Sequence, residues 1–208
     1  MKNLETKCIV LGSRNLGEKD KIVFIYSDKI GKIRVVAKGA RNINSKFNGH
    51  LEILNHATVS LYFGPKNIIL REITTERNLL KTSPRLEILS SGLQIAEITN
   101  QIIFENQSLE NLEKLLRITS KTLIISKKPS LIAFAYIIKL LDKYGIIPDF
   151  KSTKTSLPEK YCKFLHYLKE KSLAEIENIF LTNEETKYIK NFLKKIIEEQ
   201  TKKTLFHL

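Results

Sequence analysis

Lys32, Arg34 and Lys38 all fall on even positions of GKIRVVAK, residues 31 to 38. Side chains of an extended strand alternate between two faces, so these cations share one face while Ile33, Val35 and Ala37 take the other. Successive positions on one face lie about 6 to 7 Å apart, close to the phosphate repeat of an extended single strand. Arg41 and Lys46 carry the positive charge onward into KGARNINSKFNGHLE, residues 38 to 52, which holds no acid before Glu52. The chemistry this pattern offers is a clasp for phosphates. Gly39 and Gly49 let the backbone come close to such a ligand.

Taken singly, a lysine here is what any strand surface shows, because charged side chains keep strand edges from pairing. The set is more than that: from Arg14 to Lys46 nine cations face three acids. Aromatic side chains on the same surface would let bases stack. Tyr62 alternates outward between Leu61 and Phe63. Phe47 lies within the loop, where it either stacks on a base or plugs the end of the domain.

Other chemistries lack their residues. Glu18, Asp20 and Asp28 are scattered among cations rather than paired to hold two metal ions. His50 and His56 have no cysteine near them, and Cys8 and Cys162 are too few and too distant for a disulfide framework or a zinc knuckle. No Gly-x-x-x-x-Gly-Lys-Ser/Thr run occurs, so nothing points to nucleotide turnover. The reading is a binder, with no catalytic residue, metal or cofactor.

The formal charge of +13 favours a polyanionic partner. It is concentrated early: residues 1 to 81 carry 15 basic and 7 acidic side chains, a net +8, against 20 and 15, a net +5, thereafter. MKNLETKCIVL lacks the apolar region of a signal peptide, and the longest greasy run, Leu131 to Ile138, is far below the roughly 20 residues that span a bilayer. A soluble, cytoplasmic protein without a membrane partner is expected.

The elements that must position these residues follow from periodicity. Cys8–Leu11, Lys21–Tyr26, Lys32–Ala37, Ala57–Phe63 and Ile68–Thr74 are rich in β-branched and aromatic residues and are separated by turn signals at Gly17, Asp28–Gly31 and Gly64–Asn67. Five short strands in so few residues predict an OB-type barrel. After Thr82 the spacing becomes helical. A first helix over 84 to 104 is predicted, capped by Ser83 and Pro84, with Leu86, Leu89, Leu93, Ala96, Asn100 and Ile103 inward. Ser108 caps a second, with Leu112, Leu115, Leu116 and Leu123 inward. A third starts at Pro129, is apolar nearly all round from Ile132 to Ile138, and ends at Gly145. A polar link over 149 to 158 leads to helices at Glu159–Glu170, Leu173–Phe180 and Asn183–Lys203, the last with Ile189, Phe192, Leu193, Ile196 and Ile197 inward. The fold class is α+β: a five-stranded barrel over 1 to 80, then an all-α domain over 81 to 208.

LGEKDKIV from Leu16, GKIRVVAKGAR from Gly31, SKFNGHLE from Ser45 and LYFG from Leu61 resemble, in order and spacing, the N-terminal domain of the RecO family of bacterial recombination mediators. TERNLLKTSPRLE from Thr75 is similar to the family's passage from barrel to helices. YGIIPDF from Tyr144 and the end from Phe192 to Leu208 resemble its third and last helices. One departure stands out. Many members carry a four-cysteine zinc module after the Pro-Asp segment, whereas Phe150 to Pro158 holds no cysteine, so zinc is expected to be absent.

The resemblance implies binding of single- and double-stranded DNA, annealing of complementary strands and, with RecR, help to RecA in displacing single-strand-binding protein, whose acidic tail such proteins bind. It implies no nucleotide cofactor and a nucleoid-associated location. Lys38 and Arg41 occupy the family's matching basic positions. The expected DNA-binding set is Arg14, Lys32, Arg34, Lys38, Arg41, Lys46, Phe47 and Tyr62. Two other classes fit the charge: an RNA-binding or ribosome-associated OB-fold protein, since such a track does not distinguish sugars, and an adaptor for acidic proteins.

Overall fold

The computed structural model describes residues 2–78, 85–147 and 158–201. Five strands, β1 (Lys2–Leu16), β2 (Asp20–Ser27), β3 (Gly31–Ala37), β4 (His56–Phe63) and β5 (Ile68–Arg77), close into a barrel in the order β1-β2-β3-β5-β4. All neighbours are antiparallel except β3 and β5, which meet in parallel at Val36 and Ile69. The five predicted strands are all present.

β1 is far longer than the apolar run Cys8–Leu11, and its length is what closes the ring. Its first half, Lys2 to Ile9, pairs with β4, and its second half, Ile9 to Leu16, pairs with β2, with a bulge between Val10 and Gly12 where the strand turns from one partner to the other. The chain at 54–55 satisfies the backbone there: Leu54 N–H donates to Val10 O at 2.7 Å, and Val10 N–H to Asn55 O at 3.0 Å. Polar Gly12–Asn15 hid this half, since pairing rather than side-chain burial makes it a strand.

Val23, Ile25, Ile33, Val35, Ala37, Ala57, Val59 and Leu61 fill the barrel, as the period of two requires. Outward-facing Ile9, Leu11 and Tyr26, with Leu54, join a second core built by the helices α1 (Leu86–Ile102), α2 (Leu112–Ile125), α3 (Pro129–Lys143), α4 (Glu159–Glu170), α5 (Leu173–Ile176) and α6 (Asn183–Thr201). α3 is the buried centre, with Leu131 through Ile138 all buried. Pro129 stands at its first turn, and Gly145 follows it with φ +78°. α6 buries Ile189, Leu193, Ile196 and Ile197 as predicted. No described helix is long and apolar enough to cross a membrane.

Three local expectations change. α1 is partly rotated: Ala96 and Ile103 are buried as expected, but the helix also buries Ile88, Ile95, Ile98, Thr99 and Ile102, and leaves Leu86 and Leu93 80% and 54% exposed. Two stripes of similar hydropathy run along this helix, and β1 and α3, which only the fold supplies, select between them. The Ser108 hydroxyl does not cap α2. It donates to Asp28 O at 3.0 Å, and α2 begins at Leu112 after left-handed Asn111. The helix expected over Leu173–Phe180 is the single turn α5, closed by a capping box of Ser172 and Glu175. The expected cap at Ser83 and Pro84, the link over 149 to 157 and the end beyond Thr201 lie outside the described residues.

The barrel is clamped to the helices at the β2–β3 turn. Tyr26 Oη donates to Leu109 O and accepts from Leu109 N–H, and Asp28 and Glu113 exchange backbone-to-carboxylate bonds in both directions. Gly31, at φ +73°, lets the chain at Gln107 approach: a Cβ there would lie 2.5 Å from the Gln107 carbonyl oxygen.

Candidate nucleic-acid interface

The strand registers define the outer surface of the barrel. Arg14 lies opposite Ile22, Ile22 opposite Val36, Val36 opposite Ile69, and Ile69 opposite Tyr62. Residues directly opposite in a sheet share a face. Arg14 and Tyr62 therefore end one row around the barrel, with the aliphatic belt Ile22, Val36 and Ile69 between them. Followed along the sheet at about 4.8 Å per strand, the row winds roughly 19 Å around the barrel. Arg34 lies two residues before Val36 on the same face of β3, and Lys38 follows in the turn just after the strand; both are exposed.

Beside the belt lies a cleft of about 400 Å³ floored by Leu16, Ile22, Val36 and Ile68 and walled by Arg34, Lys66 and Glu105. An apolar lining with two cations, Arg34 and Lys66, beside it suits a strand whose bases face inward and whose phosphates lie along the rim, although Glu105 opposes them there. Arg34 Nε is 3.4 Å from Glu105 Oε1, an exposed pair. Arg14 holds its guanidinium 5.7 Å from the Phe24 ring centre, and Arg71 covers Tyr62 at 4.6 Å.

The 38–52 loop is a chain of turns. Ala40, Phe47, Leu51 and Leu54 are buried beneath it, while Lys38, Arg41 and Lys46 stay exposed. The Asp20 carboxylate accepts from Gly39 N–H at 2.8 Å, and Arg41 N–H donates to Lys19 O at 3.0 Å. Arg41 is less free than its sequence suggests, since its guanidinium also donates to Gly17 O at 2.5 Å. That bond fixes it beside the β1–β2 turn with the rest of its fork in solvent.

Two expected site residues leave the interface. Lys32 does not share the exposed face of Arg34 and Lys38: it is 7% exposed, and its ammonium donates to Asn100 O at 2.5 Å. The alternation places it outward, but the chain after α1 covers that end of β3. Lys32 N–H donates to Gln107 O, Asn106 N–H donates to Lys32 O, and Glu105 bridges in parallel. Phe47 is 3% exposed in the barrel core, so of the two readings it takes the plug. A phenyl ring closes the barrel end there, where its apolar area leaves water.

Four neighbours were not anticipated. Phe24 was within reach of the alternation, because Val23 and Ile25 point inward. Lys66 sits in a turn read only as a connection, and Arg71 in a strand read only for its pattern. Glu105 carried no local signal, for it meets Arg34 only through the fold.

The first 75 residues match the family model described as Recombination protein O N terminal. The chain is 30% identical to the DNA repair protein RecO of Acetivibrio thermocellus over 173 residues, 79% of this chain and 68% of that one. The chain belongs to the RecO family. It is also 30% identical over 153 residues to the DNA repair protein RecO of Thermoanaerobacter sp. (strain X514), covering 72% of this chain and 60% of the relative. With the RecO protein of Syntrophobacter fumaroxidans it shares 29% over 154 residues, 73% and 61% of the two chains. The chain thus matches about three-fifths of the length of these two relatives. The RecO-type N-terminal match ends inside β5, so it covers the row from Arg14 to Tyr62 and the whole 38–52 loop.

Proposed function

We propose that this protein binds DNA in repair and recombination, anneals complementary strands and helps load recombinase onto single-stranded DNA. The barrel, residues 1 to 80, is the DNA-binding domain in this reading, and residues 81 to 208 form the helical domain that supports it. Arg14, Arg34, Lys38, Arg41 and Lys46 hold phosphates, and Tyr62 offers a ring to a base. The observation that carries the reading is the aliphatic belt bordered by cations on the outer surface of β1 to β3 and β5. The names of the relatives agree with it. RecR, the acidic tail of single-strand-binding protein and the RecA pathway are the partners expected from the family, and the nucleoid is the expected place of action. Nothing in the mechanism asks for a nucleotide: charge neutralisation lets two strands approach, and the apolar belt receives bases while they exchange partners.

The experiment is a titration of fluorescent single-stranded DNA at increasing salt, followed by annealing of two complementary oligonucleotides. Binding through several phosphates makes log K fall by about 0.7 per contact for each unit of log salt. Affinity that hardly responds to salt would remove the reading. RNA that outcompetes DNA of equal length, with no annealing, would replace it with an RNA-binding one.

A further inference from the structure

Ile43 is 93% exposed, the most exposed of the large apolar side chains described. It occupies a corner of the turn closed by Ser45 N–H donating to Asn42 O at 3.0 Å. Such corners favour Gly, Pro, Asn, Asp and Ser, so a β-branched aliphatic residue is out of place there on local grounds. The turn is held. The Asn48 side-chain amide donates to Ile43 O at 2.6 Å, and Asp20 and Lys19 anchor the start of the loop through Gly39 and Arg41. Its side chain is therefore presented by a fixed support.

What surrounds Ile43 points to its ligand. Arg41, Asn42, Asn44 and Lys46 beside it are exposed, as is Lys38 at the loop's start. A polyanionic strand seated on Lys38, Arg41 and Lys46 would bring its bases over the one aliphatic group among them. Proteins that bind duplex DNA drive apolar side chains such as Ile between base steps and part them, and a stacked single strand offers the same kind of step. We propose that Ile43 is a wedge that enters a base step of the DNA strand held by Lys38, Arg41 and Lys46. This rests on the DNA-binding reading above. Parting a stacked step frees the two bases to turn toward an incoming complementary strand.

The test uses the full chain and a single-stranded oligonucleotide carrying adjacent 2-aminopurines, whose fluorescence rises when they unstack. Saturating parent protein is expected to brighten the probe several-fold. Ile43→Ser should hold the same oligonucleotide within about three-fold in affinity and with the same salt slope, since no phosphate contact is lost, yet lose most of the brightening. Ile43→Met should restore it. Unchanged melting of each variant confirms the fold. A serine variant that brightens the probe like the parent overturns the wedge and leaves Ile43 to a protein partner. A parent that binds without brightening also overturns it. Both results leave DNA binding standing, whereas a parent that does not bind the oligonucleotide removes the function and the wedge together.

Discussion

His56 and Ser120 meet across the joint between barrel and helices, the imidazole Nε2 lying 2.6 Å from the serine oxygen. The Ser120 hydroxyl also lies within reach of Arg117 O, at 3.1 Å. Burial, then the charges of Arg117 and Arg77, push the pKa of His56 down to about 4 from 6.5. The folded protein keeps this ring neutral, while the unfolded chain takes up a proton as pH falls below about 6.5. Stability from His56 is therefore complete above that pH and is lost progressively toward pH 4, by an amount on the order of 1–3 kcal/mol. Urea unfolding between pH 7 and 4 should show the loss, and His56→Gln should flatten this part of the profile.

Gly31→Ala should destabilise the chain by about 2–4 kcal/mol, because the new methyl meets the Gln107 backbone and the residue must hold a left-handed φ. A lowered urea midpoint checks it. Gly17→Ala also faces a positive φ, but with nothing within 4 Å, so it should cost clearly less.

Replacing Lys38 and Arg41 together by Glu reverses four charge units on the loop. Both side chains are exposed, so the fold should survive, apart from the modest loss of the Arg41 bond to Gly17 O. DNA affinity should fall about equally for all sequences, and the slope of log K against log salt should drop by about 1.4 if each holds one phosphate. Lys195→Glu on α6, far along the chain in the helical part, is the control and should matter less. Phe47→Ala should behave in the opposite way, lowering stability by about 3–5 kcal/mol because it empties the barrel end.

Glu105→Gln should strengthen binding. Its carboxylate stands on the cleft wall and pairs with Arg34, so it both repels a phosphate and occupies the cation that would receive one. Removing one exposed charge is worth about two- to five-fold in affinity at low salt, shrinking as salt rises. Fluorescence anisotropy at two salt concentrations measures both. Arg34→Gln in the Glu105→Gln background should abolish the gain.

Local pattern alone determined the strands, the buried centre of the bundle and the outward direction of Arg34 and Tyr62, because side-chain period is a property of the backbone and is written residue by residue. It also made Lys38, Arg41 and Lys46 a surface group, since the loop itself holds no acid before Glu52. Tertiary structure decided the rest. The long β1 exists through its pairing with β2 and β4, the buried stripe of α1 was selected by what packs on it, and Lys32 lost its outward face to the chain after α1. Glu105 joined Arg34 only when the two ends of that contact folded together. Period says which side chains leave a strand's core face, but whether such a side chain meets solvent depends on which distant segment covers it, and no local interval encodes that.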